Sequence, residues 1–280
     1  MKVVTNSESL ESLRSALHTK QLALVPTMGA LHDGHLKLAQ TAKELGYLVL
    51  VSIFVNPRQF NNPVDLDKYP RTVEEDKQKL KDAGIDAVYI PKLEDVYSEE
   101  IKDVQVDLGT LDHVLEGHYR PGHFDGVVQV LYRFFLCVNP DAVFFGEKDL
   151  QQCMVVKKLL NQCFPSITYY QVPTVRESSG LAMSSRNQRL TEEGKKKAAE
   201  IYSVLSTLKQ QCLLGDFNSE VMINRLKSME IETEYLAWVY LPDMLPIKDQ
   251  NQHKYKHQAI VFAGYMEGVR LIDNLVFELA

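Results

Sequence analysis

Missing from this chain is any apolar run long enough to cross a bilayer: the longest, residues 47–55, falls well short of the roughly 18 residues a spanning helix needs. Residues 1–14 also lack a basic region followed by an apolar stretch, so secretion is not expected. Cysteine is scarce. The four present, Cys137, Cys153, Cys163 and Cys212, show neither C-x-x-C spacing nor the framework of a small secreted domain. They read as reduced thiols in a cytoplasmic protein, packed mostly as small hydrophobes. Nor is there an excess of positive charge, since 31 Lys and Arg face 37 Asp and Glu, a formal net charge of −6. Nucleic acid or an anionic membrane would therefore find little long-range attraction, and any bound phosphate must be held locally. Internal repeats and low-complexity segments are absent, and the basic run at residues 195–197 reads as a solvated helix face.

What is present is ordinary folded composition, 45% hydrophobic and 24% charged over 280 residues, enough for one larger and one smaller domain. A polar-capped helix signal at residues 7–19 leads to a short apolar run at 22–25 and then a Pro-Thr-Met-Gly break. A helical pattern over 34–46 precedes the continuous apolar run 47–55, as a strand buried on both faces requires. Helix at 73–83, strand at 87–90, helix at 124–138, strand at 142–145, helix at 148–163 and strand at 167–172 continue the alternation. That is the pattern of a parallel sheet covered by helices, a Rossmann-like α/β domain over residues 1–175. Beyond it the texture changes. Helical patterns at 191–214 and 218–229 are followed by strand-like runs at 234–241, 257–263 and 268–272, which predicts a smaller α+β C-terminal domain over residues 176–280.

The segment Pro26-Thr27-Met28-Gly29-Ala30-Leu31-His32-Asp33-Gly34-His35 joins the first parallel strand to the helix after it. A helix starting there offers free backbone N–H groups and a positive dipole end to an anion. His32 and His35, three apart, converge on the mouth of such a site, where imidazole stabilises or protonates a phosphate. Taken alone, an H-x-x-H pair also fits a helix cap or two surface histidines. A zinc site drawing on His113, His118 and His123 lacks paired cysteines or an H-E-x-x-H, so no metal ligands are assigned. The Gly29–Gly34 spacing mimics a P-loop, but His35 and Leu36 stand where Lys and Ser or Thr are needed, and no G-x-G-x-x-G occurs.

The stretch from Pro26 to His35 resembles the signature of the H-x-G-H nucleotidyltransferase superfamily, and specifically of the pantothenate synthetase family. Further blocks resemble that family in its order: Val51-Ser52-Ile53-Phe54-Val55-Asn56-Pro57-Arg58-Gln59-Phe60, Tyr69-Pro70-Arg71-Thr72, Arg120-Pro121-Gly122-His123-Phe124, Phe145-Gly146-Glu147-Lys148-Asp149, Gln151-Gln152, Leu181-Ala182-Met183-Ser184-Ser185-Arg186-Asn187 and Leu271-Ile272-Asp273-Asn274. Arg58 departs from the methionine expected between Pro57 and Gln59.

This resemblance implies ATP-dependent joining of pantoate to β-alanine through a pantoyl-adenylate, with magnesium carried mainly by the nucleotide, in a cytoplasmic homodimer. It further implies that Met28, Gly29, Ala30, Leu31, His32, Asp33, Gly34 and His35 line the ATP site, with His35 as proton donor. Gly146, Glu147, Lys148 and Asp149 would hold ribose and phosphate, and Val175, Met183, Ser184, Ser185 and Arg186 would contact the nucleotide. His32, His35, Lys148 and Arg186 are the implied catalytic set. Gln59 and Gln152 are implied as pantoate ligands, with Asn56, Tyr69 and Arg120 in the same pocket. Since an adenylate must be kept from water, the smaller domain or the loop at residues 56–70 is expected to cover the site. Without the resemblance, the glutamines read as exposed polar side chains, Lys148 and Asp149 as a surface charge pair, and Ser184, Ser185 and Arg186 as turn and cap residues.

Overall fold

A computed structural model describes residues 1–15, 20–214, 216–247 and 254–279. The chain forms two compact units. Unit one comprises residues 1–108, 116–147 and 152–173, and unit two comprises residues 109–115, 148–151 and 174–280.

The first unit carries β1 (Lys2–Val4), α1 (Ser7–Ser15), β2 (Leu22–Thr27), α2 (Asp33–Glu44), β3 (Leu48–Ile53), α3 (Pro63–Asp67), α4 (Val73–Asp82), β4 (Ala87–Tyr89), α5 (Leu93–Val96), α6 (Glu116–Tyr119), α7 (His123–Val138), β5 (Ala142–Gly146), α8 (Leu150–Cys163) and β6 (Thr168–Val172), the first two residues of α8 grouping with the other unit. Its six strands lie in the order β1-β4-β3-β2-β5-β6 and every pairing is parallel. The unbroken apolar runs explain the order: β2 and β3 are buried along nearly their whole length, so both belong in the middle of a sheet covered on two faces. Register is fixed by facing pairs such as Ala23 with Val49 and Val25 with Val51. One core layer joins Ala23, Val25, Val49 and Val51 of these strands to Leu38, Ala39 and Ala42 of α2 and Leu80 of α4. Because the chain leaves β2 toward β3 and β4 and returns to its other side at β5, the carboxyl ends of β2 and β5 flank the switch point where ligands of such sheets bind.

One strand runs past its expected end. β2 runs on through Pro26 and Thr27, because the Thr27 hydroxyl and the β3 backbone still pair across it: Thr27 Oγ1 donates to Ser52 O at 2.6 Å. Of the helix signal at residues 7–19, the last four residues lie outside the described ones.

The second unit contains α9 (Glu192–Ala198), α10 (Glu200–Leu214), α11 (Ser219–Ser228), β7 (Glu232–Tyr240), β8 (Leu245–Pro246), β9 (His257–Met266) and β10 (Val269–Glu278). The strands form an antiparallel sheet in the order β10-β9-β7-β8. The helical pattern at 191–214 resolves into two helices meeting at Ala199. Leu205 and Leu208 of α10 pack with Leu226 of α11 and with Trp238, Ile260 and Phe262 of the sheet, a core separate from that of the first unit. β10 extends six residues past the predicted end at 272 because its ladder with β9 continues to the pairing of Glu278 with His257. The sequence also carries a polar run at residues 249–257, of which residues 249–253 lie outside the described ones.

Candidate active site

The β2–α2 connection is held in shape by its own histidines and by α4. Helix α2 begins at Asp33, one residue before the predicted start, because His32 caps it: His32 Nδ1 accepts from Gly34 N at 3.2 Å and His35 Nδ1 accepts from His32 N at 3.4 Å. Two imidazoles thus make the reciprocal capping arrangement usually built from a hydroxyl and a carboxylate. Their rings lie 4.0 Å apart, centroid to centroid. An imidazole that accepts at Nδ1 carries its proton on Nε2 when neutral, which assigns that tautomer to both rings. The capping reading of H-x-x-H is thus the geometry seen here.

Upstream, Gly29 and Ala30 adopt left-handed backbone, with φ of 80° and 49°. For alanine this costs on the order of 1–2 kcal/mol. The conformation is over-determined by Asp76 of α4, which is fully buried and accepts from Ala30 N at 2.8 Å, Leu31 N at 2.7 Å and Thr72 Oγ1 at 3.3 Å. Lys79, one turn on, donates to Leu31 O at 2.7 Å. A side chain at position 29 would crowd Asp76 Oδ2 at 3.1 Å and Ile53 Cγ2 at 3.0 Å, and the left-handed backbone itself favours glycine there. Gly29 N in turn donates to Thr27 Oγ1 at 3.2 Å. Most backbone donors expected to be free for an anion are thus already committed within the loop. Beyond these committed groups, the turn keeps the positive end of the α2 dipole for a phosphate.

The second cluster of the first unit surrounds Gln59. Asn56 caps the short 3₁₀ turn Pro57–Gln59, accepting from Arg58 N at 3.2 Å. Gln59 is buried, unlike the exposed glutamine that composition alone suggests. Its Oε1 accepts from Asn56 Nδ2 at 3.1 Å and its Nε2 lies 2.9 Å from Met28 Sδ, which links this turn to the histidine loop. Its backbone oxygen accepts from His123 Nδ1 at 2.8 Å and from Arg120 at 3.3 Å. Arg120 also lies 3.1 Å from His123 Nε2. A guanidinium only donates, so Nε2 is the acceptor and the His123 proton sits on Nδ1, which agrees with its bond to Gln59. Arg120 further pairs with Glu116 at 3.5 Å. Tyr69 is buried against Phe60, with centroids 5.6 Å apart, while Gln152 on α8 is half-buried. Glu147, after the end of β5, accepts from Gln171 Nε2 at 2.9 Å. Gly146 has room for a side chain, since a Cβ would meet only Leu38 at 4.0 Å.

In the second unit, Met183 N donates to Val175 O at 3.0 Å, setting Val175 beside Met183. Ser184 caps the 3₁₀ segment Ser185–Arg189 by accepting from Arg186 N at 3.3 Å, so its hydroxyl has the capping role that turn chemistry predicts. Lys148 is largely buried and lies 3.9 Å from Asp149; its backbone oxygen accepts from Asn274 Nδ2 at 2.9 Å. Asn274 follows Asp273, a buried carboxylate held bidentate by Arg176 at 2.6 and 2.9 Å. Burial pushes the Asp273 carboxyl above its ordinary range, against the pull of Arg176.

Sequence reading overlooked Asp76, Lys79, Gly126 and Tyr97. Asp76 and Lys79 sit on a highly charged helix in which Leu80 is also buried, and no local pattern tells which of its acids is buried. Gly126 lies inside α7, where a glycine is locally unfavourable; that anomaly was the available signal. Among the described residues no group of three or more His, Cys, Asp or Glu is placed to hold a metal ion, and no helix is long and apolar enough to cross a membrane.

Comparison with known proteins decides the family. A model of pantoate-beta-alanine ligase matches residues 2–276. The chain belongs to the pantoate-beta-alanine ligase family. It is 43% identical over 261 residues to a pantoate–beta-alanine ligase of Schizosaccharomyces pombe, covering 91% of this chain and 90% of that one. To a pantothenate synthetase of Cytophaga hutchinsonii it is 42% identical over 266 residues, 92% of each chain. Among solved structures, pantothenate synthetase from Thermus thermophilus superposes with a TM-score of 0.87 at 38% identity, covering 98% of this chain and 99% of that one. Pantoate-beta-alanine ligase from Francisella tularensis, complexed with beta-gamma ATP and beta-alanine, gives a TM-score of 0.83 at 33% identity over 99% and 97% of the two chains. These enzymes share the α/β architecture of a parallel six-stranded sheet followed by a small antiparallel one.

Proposed function

We propose that this enzyme makes pantothenate in two steps on one site. A carboxylate oxygen of pantoate attacks the α-phosphorus of ATP, the bond to the bridging oxygen breaks, and pyrophosphate leaves. The β-alanine amine then attacks the carbonyl carbon of the mixed anhydride, the acyl–oxygen bond breaks, AMP leaves, and the nitrogen loses a proton. No protein nucleophile is needed.

The observation that supports this reading is the His32–His35 pair, fixed by its capping bonds at the carboxyl end of β2, in a chain matched by the family over nearly its whole length. Fixed donors aimed at developing charge stabilise a transition state without reorganising. In this reading His35 donates to the departing pyrophosphate and His32 to the phosphates, while Met28, Gly29, Ala30, Leu31, Asp33 and Gly34 shape the nucleotide site. Lys148 and Arg186 supply positive charge, joined by Gly146, Glu147, Asp149, Val175, Met183, Ser184 and Ser185 as nucleotide contacts. Gln59 and Gln152 bind pantoate, with Asn56, Tyr69 and Arg120 supporting that pocket. Magnesium belongs to this scheme as part of the substrate, bound by the nucleotide's own phosphates. The enzyme acts as a homodimer in the cytoplasm.

Incubating the protein with ATP, pantoate and β-alanine should yield AMP, pyrophosphate and pantothenate in equal amounts. ADP formation, or a nucleotide retained on the acyl product, would contradict the scheme.

A further inference from the structure

Arg58, where the resemblance leads one to expect methionine, directs its guanidinium to Tyr97 and Asp103. Its Cζ lies 4.1 Å from the centroid of the Tyr97 ring, and its Nη1 pairs with Asp103 at 2.9 Å. Arg133, buried in α7, lies 5.0 Å from the same centroid and meets the same carboxylate at 2.7 Å. Arg133 is tied further to Ile101 O at 2.9 Å and Gln129 O at 3.1 Å. Two cations bridged by one acid thus hold a single phenol ring.

The Tyr97 hydroxyl donates to Asn56 Oδ1 at 2.7 Å. Asn56 is buried and its amide has only one workable orientation: Arg58 N can only donate to Oδ1, and Gly126 O, 3.0 Å from Nδ2, can only accept. Nδ2 therefore faces Gln59 Oε1, and Gln59 must turn its Nε2 the other way, toward Met28. Hydrogen-bond polarity passes from Tyr97 through Asn56 to Gln59. Burial pushes the Tyr97 phenol up to about 12, against the opposing pull of Arg58, Arg133 and the bond to Asn56, so near neutrality it stays a donor.

We infer that Tyr97 is a positioning residue for Gln59, acting through Asn56, with Arg58 and Arg133 holding its ring for that task. The inference rests on the proposed function, in which Gln59 binds pantoate.

Tyr97→Phe removes the hydroxyl alone and keeps the ring between its cations. In pantoate-dependent exchange of pyrophosphate into ATP, the KM for pantoate should rise about three- to tenfold, the span of one lost hydrogen bond, while the KM for ATP stays within about twofold. Arg58→Met should shift the pantoate KM in the same direction by less. In an Asn56→Ala background, compared at subsaturating pantoate, Tyr97→Phe should produce no further change. An unaltered pantoate KM, an equal rise for both substrates, or a full effect in the Asn56→Ala background would assign Tyr97 to general packing and overturn the inference. Absence of exchange in the wild-type enzyme would overturn the proposed function and this inference with it; normal wild-type exchange beside an unresponsive Tyr97→Phe overturns the inference alone.

Discussion

Gly126 gives the sharpest test of how the Gln59 turn is held. A Cβ built at this position lies 2.5 Å from the Arg58 carbonyl carbon and 2.7 Å from Gln59 N, with the Arg58 carbonyl oxygen nearer still. All three are backbone atoms, so no side chain can swing aside. Restoring ordinary contact at about 3.5 Å requires the turn and α7 to part by roughly 1 Å. In Gly126→Ala, alanine's better helix propensity returns about 1 kcal/mol while overpacking costs about 1–3 kcal/mol. Net destabilisation is thus no more than about 2 kcal/mol, and the protein should stay folded with a melting temperature lower by a few degrees. Activity should suffer far more. With Gln59 as the proposed pantoate ligand, a displacement near 1 Å costs on the order of a hundredfold, or about 2.7 kcal/mol of transition-state stabilisation. The assay is the initial rate of pantoate-dependent pyrophosphate exchange at subsaturating pantoate, alongside a thermal melt. A folded variant with a rate near that of wild type would show that Gln59 does not need this close approach.

Asp76→Ala leaves the buried Ala30 and Leu31 N–H groups without an acceptor and should cost about 2–5 kcal/mol in denaturant unfolding; an unchanged midpoint would mean the loop is held otherwise. His35→Ala should slow adenylation by about 10²- to 10⁴-fold, the usual range for a proton donor, as read by the exchange rate; near-normal exchange removes it from the chemistry. For Asp103, the bond from Arg133 first, then that from Arg58, holds the carboxyl below its ordinary range. Its contribution is therefore present above the unfolded pKa of about 3.9 and lost as pH falls through the lower folded value. The melting-temperature gap between wild type and Asp103→Asn should accordingly be small at neutral pH and close in acid; a gap that widens in acid would refute the assignment.

Local patterns carried much of the fold and little of the support around the site. The unbroken apolar runs of β2 and β3 announce buried parallel strands by themselves, and the change of texture after Pro173 announces a different architecture. Strand order stays hidden because pairing is a choice among distant segments: nothing local tells β5 to return to the far side of β2. The short stretches at 109–115 and 148–151, which group with the second unit, carry no signal of it either. At the site, the histidine pair was visible as a motif, and its tautomers were not, because these depend on which amide each Nδ1 accepts from. Asp76 clamps a loop 45 residues away. Tyr97 meets Asn56 across 41 residues. Such partners are fixed by tertiary packing, to which a periodicity window is blind. Arg58 illustrates the same limit, since a charge beside Gln59 could face inward or toward solvent, and it does neither fully: it stacks on Tyr97.

The central claim is that pantoate is activated as an adenylate at the β2–α2 turn before β-alanine takes part. Labelled pyrophosphate, supplied with ATP and pantoate in the absence of β-alanine, tests it most directly. Label should appear in ATP only when pantoate is present, and the incorporation should collapse in His35→Ala. No incorporation by enzyme that still makes pantothenate when β-alanine is added would contradict the adenylate route.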